Sequence, residues 1–130
     1  MAFFGYNRLQ ADARNSARAS KIKIIYESLE KYYAKNGEYP GCVAMTQSGA
    51  LVSTNVLTGI EQNVLVAPKA PSGTTNSITC TALVSGGTTD AFAYVGDGTA
   101  TCSTGAACTR YTLQYRDEVT GSIISQTSRR

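Results

Sequence analysis

Residues 6–35 form a run of thirty positions without glycine or proline, and the run stops at once in Asn36-Gly37-Glu38-Tyr39-Pro40. Its composition favours Ala, Leu, Glu, Lys and Arg, which lose little side-chain freedom in a helix. Ile22, Ile25, Tyr26, Leu29, Tyr32 and Tyr33 recur at offsets of 0, 3, 4, 7, 10 and 11, a wide apolar stripe at the helical period. The spacing predicts a long helix over 5–36, with Ile22, Ile25, Leu29, Tyr32 and Tyr33 packing it onto the rest of the chain. Glu27 and Lys31 are placed for an i,i+4 ion pair on its outer face. Gly37 then takes the left-handed conformation that ends helices without a Cβ clash. Pro40 cannot continue a helix and pushes Tyr39 into an extended conformation.

Thirty helical residues extend roughly 45 Å, so the helix is expected to overhang a small domain. In its first half Leu9, Ala13 and Ala17 continue the stripe, but narrowly, among Arg8, Arg14, Ser16, Arg18 and Ser20. Such a face holds no bulky core layer, yet it admits the close approach of another helix; the alternative is a solvated extension. Residues 1–37 carry seven Lys/Arg against three acids, whereas the remainder carries five against six. Two parts with different neighbours follow from that asymmetry. Arg14, Arg18 and Lys21 share one helical face, a candidate either for contacts between subunits or for sequence-independent attraction to DNA phosphates.

Behind the helix the chain changes character. Residues 38–130 hold 16 Thr and 9 Ser and show no helical period of useful length. Residues 37–76 read as a long loop with short ordered pieces at 50–52 and 63–66, and Pro68 and Pro71 lie near its end. Strand patterns follow at 77–84, 91–95, 110–116 and 121–126. In the third, Tyr111, Leu113 and Tyr115 alternate with Thr112, Gln114 and Arg116, as in an antiparallel sheet covered on one face. The expected architecture is one α+β domain over 1–130, its N-terminal helix packed on a C-terminal antiparallel sheet within 77–130.

Cys42, Cys80, Cys102 and Cys108 make an even count in a small Thr-rich chain, which points to disulfides and an oxidising compartment. A zinc site is the rival, but the closest pair brackets five residues and the chain has no histidine. Of the three possible pairings, Cys42–Cys80 and Cys102–Cys108 are favoured. The first ties down the long loop, and the second clamps the small loop before the last hairpin. Without histidine, a Ser-His-Asp or Cys-His arrangement is impossible, and no glycine-rich phosphate loop is followed by lysine. Asp97 in "GDGTA" is more readily a turn former than a calcium ligand, since that ion needs six to eight oxygens. No enzymatic activity and no cofactor are expected. The chain contains no run of 18 apolar residues and no signal peptide, so a disulfide-bearing product is expected to have a native N-terminus upstream of Met1-Ala2.

The stretch "YNRLQADARNSARASKIKIIYESLEKYYAKNGEYPG" resembles the end of the long helix of a type IV pilin, closest to pilins of ultrasmall epibiotic bacteria and some Gram-positives. The likeness covers residues 3–40 well and "CTRYTLQYRDEVTGS" more loosely; its most specific element is "NGEYP". It implies a pilin fold and a structural, non-enzymatic subunit of an extracellular pilus. In the family an upstream hydrophobic half-helix, of which Phe3-Phe4 would be the last remnant, sits in the inner membrane before assembly. The implied partners are other pilin subunits, the assembly machinery, a prepilin peptidase, and a host-cell or abiotic surface. The implied roles are adhesion, twitching motility and DNA uptake. A type II secretion pseudopilin is the neighbouring alternative, but its calcium loop and Trp-containing stretch are not matched in this chain, which has no Trp. A minor pilin that binds DNA or another ligand at the surface is the other alternative.

Overall fold

A computed structural model describes residues 2–85, 90–96 and 108–129, with helix side chains from Arg8 onward. The first element, α1, is a continuous helix over Ala2–Asn36. Its end follows from the sequence: Gly37 adopts φ +77° and donates its amide to the Tyr33 carbonyl at 2.7 Å. The Asn36 side chain satisfies another end carbonyl, that of Tyr32, at 3.0 Å. Two residues on, Tyr39 is extended and makes an isolated antiparallel bridge with Cys108, through amide–carbonyl bonds of 2.9 Å in both directions. The helix stop thus returns the chain directly to the C-terminal half.

Residues 37–76 then wind through short helical pieces: α2 at Cys42–Met45, α3 at Gly49–Leu51, a π-helical turn at Val52–Val56 and a 3-10 turn at Gln62–Leu65. The segment forms a wall of the core, to which it supplies Met45, Val52, Leu57, Val64, Leu65 and Ala67. Asn76 pins it by donating to the carbonyls of Met45 and Gln47 at 3.0 and 2.7 Å, while its own Oδ1 accepts from the Ile78 amide. At Gly49 a Cβ would run into the Thr75 carbonyl oxygen, so a side chain there would push the two ends of the loop apart.

Four strands follow, β1 at Ile78–Thr79, β2 at Phe92–Gly96, β3 at Tyr111–Arg116 and β4 at Ile123–Thr127, in spatial order β1-β2-β3-β4. β2, β3 and β4 form the expected antiparallel meander, with Tyr94 opposite Leu113 and Leu113 opposite Gln126. The sheet as a whole is nevertheless mixed, because β1 runs parallel to β2. Alternation reports which face of a strand is buried and says nothing of its direction, so the antiparallel expectation fails at the first pair. β1 also keeps only two residues of the strand expected over 77–84. Cys80 turns away to Cys42, and the Leu83 amide donates to the Gln114 side chain instead of continuing the ladder.

Helix, loop and sheet close on one core. Ile22, Ile25 and Leu29 meet Phe92, Tyr94, Tyr111 and Leu113 there. A disulfide joins Cys42 at the head of α2 to Cys80 just after β1, across 5.9 Å between Cα atoms. Cys102, the expected partner of Cys108, and Asp97 lie outside the described residues. The Cys42–Cys80 loop closes 38 residues of chain, and on the chain-entropy estimate it contributes about 4 kcal/mol. Non-reducing peptide mapping is expected to recover this linked pair, and Cys42→Ala/Cys80→Ala should lower the unfolding free energy by about that amount in denaturant titrations. A Cys80–Cys102 peptide would contradict the pairing.

Candidate functional site

Where α1 meets the head, it is held by two polar clusters at opposite ends of its apolar stripe. The upper one is built from tyrosines. Glu30 lies one position past the core residue Leu29, and its carboxylate is reached by two hydroxyls. Tyr39 donates to it at 2.9 Å and Tyr111 at 2.7 Å. The rings of Tyr33, Tyr39 and Tyr111 pack in sequence, with centroids 4.8 and 4.7 Å apart. Tyr94 stacks on Tyr111 at 5.6 Å and donates its hydroxyl to the Pro40 carbonyl at 2.6 Å. Burial, together with the hydrogen bond to Glu30, pushes the Tyr111 hydroxyl well above the usual tyrosine pKa. The hydroxyls of Tyr39, Tyr94 and Tyr111 each have an acceptor, so among the described residues the aromatic joint buries no unpaired side-chain polar atom.

The lower cluster is ionic. Arg18 is 2% exposed, and a guanidinium so deeply placed must be compensated on every side. It donates to the Asn15 side chain at 3.0 Å, to Glu118 at 3.1 Å and to Asp90 at 3.2 Å. Glu118 also takes a forked contact from the Nε and Nη2 of Arg14, and Lys69 approaches it at 3.5 Å. Arg116 approaches Asp90 from β3 at 3.4 Å. Asn15 fastens the helix to the β3–β4 turn: its amide donates to Asp117 at 3.1 Å, and its oxygen accepts the Glu118 backbone amide at 2.9 Å. Asp117 shapes that turn by accepting from the amides of Val119 and Thr120 at 2.8 and 3.0 Å, bonds that hold its pKa below the carboxylate norm.

These contacts decide where the residues singled out from the sequence sit. Ile22, Ile25 and Leu29 are in the core and Tyr33 packs against it, whereas Tyr32 is half-buried outside it. Arg14, Arg18 and Lys21 do not form one open basic face. The two arginines turn to Glu118 and Asp90 of the same chain, and the Lys21 ammonium donates to the Val66 carbonyl at 2.7 Å. Burial lowers the Lys21 pKa. Glu27 and Lys31, expected to pair, make no ion pair among the described residues. Glu30, Asn15, Asp90 and Glu118 were not singled out. A signal for Asn15 was present, since 15, 18, 22, 25 and 29 are spaced 3, 4, 3 and 4 apart, and the buried stripe therefore runs on into polar residues.

Among the described residues no cluster of three or more metal-ligating side chains forms, and no helix is long and apolar enough to cross a membrane. What the arrangement does chemically is hold a helix at a fixed depth in a disulfide-bonded head. No family model matches this chain, and no curated protein or solved structure matches it.

The ionic cluster carries a pH dependence with a definite sign. The hydrogen bond from Arg14, then that from Arg18, pulls the Glu118 pKa down to about 2, against the opposing effect of burial. Its unfolded value is about 4.3. Stabilisation from Glu118 is therefore complete above that value and disappears as the pH falls through about 2. Denaturant titrations from pH 7 to pH 2 should show this acid loss in the native chain. Glu118→Gln should lower stability at pH 7 by about 2 kcal/mol and flatten the acid limb; an unchanged limb in the variant would refute the assignment.

Proposed function

We propose that this chain is the head of a type IV pilin, a structural subunit of an extracellular pilus filament. The observation that carries the reading is the way α1 is used. Its ion pairs with the β3–β4 turn and the segment before β2 come from Arg14 and Arg18, whereas Arg8, Leu9, Gln10, Asp12 and Ala13 are all exposed. A helix anchored in a head through one half and presented through the other suits a subunit whose shaft packs with neighbours. The pilin-like stop "NGEYP" supports it too, because these residues make the joint: Gly37 caps the helix, Tyr39 plugs the Glu30 site, and Pro40 receives the Tyr94 hydroxyl.

On this reading the aromatic and ionic clusters are structural, and the head presents its loops to the surroundings while the helices build the shaft. Heterologous contacts that do not close into a ring generate an open helical filament. The neighbouring readings are a type II secretion pseudopilin and a minor pilin that binds DNA at the surface. The second would draw on Arg14, Arg18 and Lys21, but these are engaged within the head, so filament building is preferred. Adhesion, twitching motility and DNA uptake are the roles such a filament would serve.

Immunogold labelling with antibodies to this chain tests the proposal on cells that produce it. Label is expected along extracellular filaments, and deletion of the gene should remove those filaments. Label confined to the cell envelope, with filaments persisting after deletion, would overturn it.

A further inference from the structure

The exposed half of α1 and a groove on the far side of the same helix carry complementary features. A groove of about 460 Å³ runs between α1 and the segment around the 3-10 turn, lined by Ile24, Glu27 and Lys31 on the helix and Ile60, Glu61 and Val64 opposite. Ile24 is 40% exposed there. Glu27, Lys31 and Glu61 form no ion pair among the described residues, so the groove presents two uncompensated acids and one uncompensated base around an apolar floor. On the exposed half of the helix, Leu9 is 69% exposed. It lies beside Arg8 and Asp12, which among the described residues pair with each other alone, at 3.5 Å and in open solvent. A pair of that kind contributes a few tenths of a kcal/mol and exchanges readily for new partners.

We propose that this groove receives the exposed helix half, around residues 8–12, of a second copy of the chain, with the two helices parallel. Arg8 then lies level with Glu27, and Asp12 level with Lys31. Both pairs are nineteen positions apart, so one axial displacement of roughly 28 Å satisfies both. Glu61 lies on the opposite wall as a second acid for Arg8, and Leu9, nineteen positions before Ser28, enters the groove level with that residue, one turn beyond Ile24. The orientation follows from charge. Turning the incoming helix antiparallel in the same groove sets Arg8 against Lys31 and Asp12 against Glu27, two repulsive pairs. The contact uses different surfaces on the two partners and leaves each copy with one groove and one helix half to offer. It is therefore heterologous and propagates instead of closing. The inference rests on the filament reading for its partner and adds the register and the residues that set it.

Cross-linking tests the register. Chains carrying Arg8→Cys and chains carrying Glu27→Cys are mixed under mild oxidation, each also incubated alone, with the unsubstituted chain as background. The mixture should give a disulfide dimer that neither variant gives alone, with the yield falling several-fold as salt is raised. The doubly substituted chain should give a ladder of higher multimers. In unlinked chains Glu27→Arg should weaken self-association measured by sedimentation, and Arg8→Glu/Glu27→Arg should restore it. No cross-link in the mixture, an equal yield from Glu27→Cys alone, or no rescue by the double reversal would overturn the inference. The filament reading is judged separately by electron microscopy of cells producing the same variants. Filaments in which residues 8 and 27 do not cross-link reject only the register. Absence of filaments from the unsubstituted chain rejects the filament reading, while a cross-link in solution would still establish the contact.

Discussion

The buried guanidinium of Arg18 fixes the depth at which the helix enters the head. A charge that is 2% exposed is tolerable only while its partners stay in place, and those partners come from the helix itself, the segment before β2 and the β3–β4 turn. Shifting α1 along its axis by a single turn would pull Arg18 from Asp90 and Glu118, and Asn15 from Asp117. The apolar contacts of Ile22, Ile25 and Leu29 are less particular about register, because a slide exchanges one apolar neighbour for another. Hydrophobic burial thus supplies most of the attraction between helix and sheet, and the ionic cluster, with the Glu30–tyrosine joint at the other end, sets its position. With the position set, the length of helix left over is set as well.

The features legible in the sequence were those written in local chemistry. The helix end at Asn36-Gly37, the stripe through Ile22, Ile25 and Leu29, the alternation of Tyr111, Leu113 and Tyr115, and the pairing of Cys42 with Cys80 each depend on a few neighbouring positions or on simple cysteine arithmetic. Strand direction was not legible: β1 runs parallel to β2, and no periodicity within either strand records that. The core contribution of residues 37–76 was likewise hidden, since Met45, Val52, Leu57 and Val64 are too irregularly spaced for either a helical or a strand template.

Most instructive is the fate of the basic residues. Arg14, Arg18 and Lys21 were legible as one helical face, but whether that face looks outward depends on acids about 70 and 100 positions later in the chain. Glu118 and Asp90 sit in turn sequences that read as solvated, and only the closed fold brings them beneath the helix. The 15, 18, 22, 25, 29 spacing shows that a stripe should be followed past the point where its residues stop being apolar. Glu30 teaches the same lesson from the other end, as a carboxylate on the stripe's edge held by one tyrosine nine positions on and another 81 positions on.

Amide hydrogen exchange along α1 tests most directly the claim that the head grips the helix from its ionic cluster onward and leaves Arg8, Leu9, Asp12 and Ala13 exposed. In the isolated chain, amides of residues 19–33 should exchange with protection approaching that of the sheet, and amides of residues 8–13 should exchange orders of magnitude faster. Arg18→Met should move that boundary toward the C-terminus. Equal protection at residues 8–13 and 19–33 in the isolated chain, or a boundary unmoved in the variant, would contradict the account.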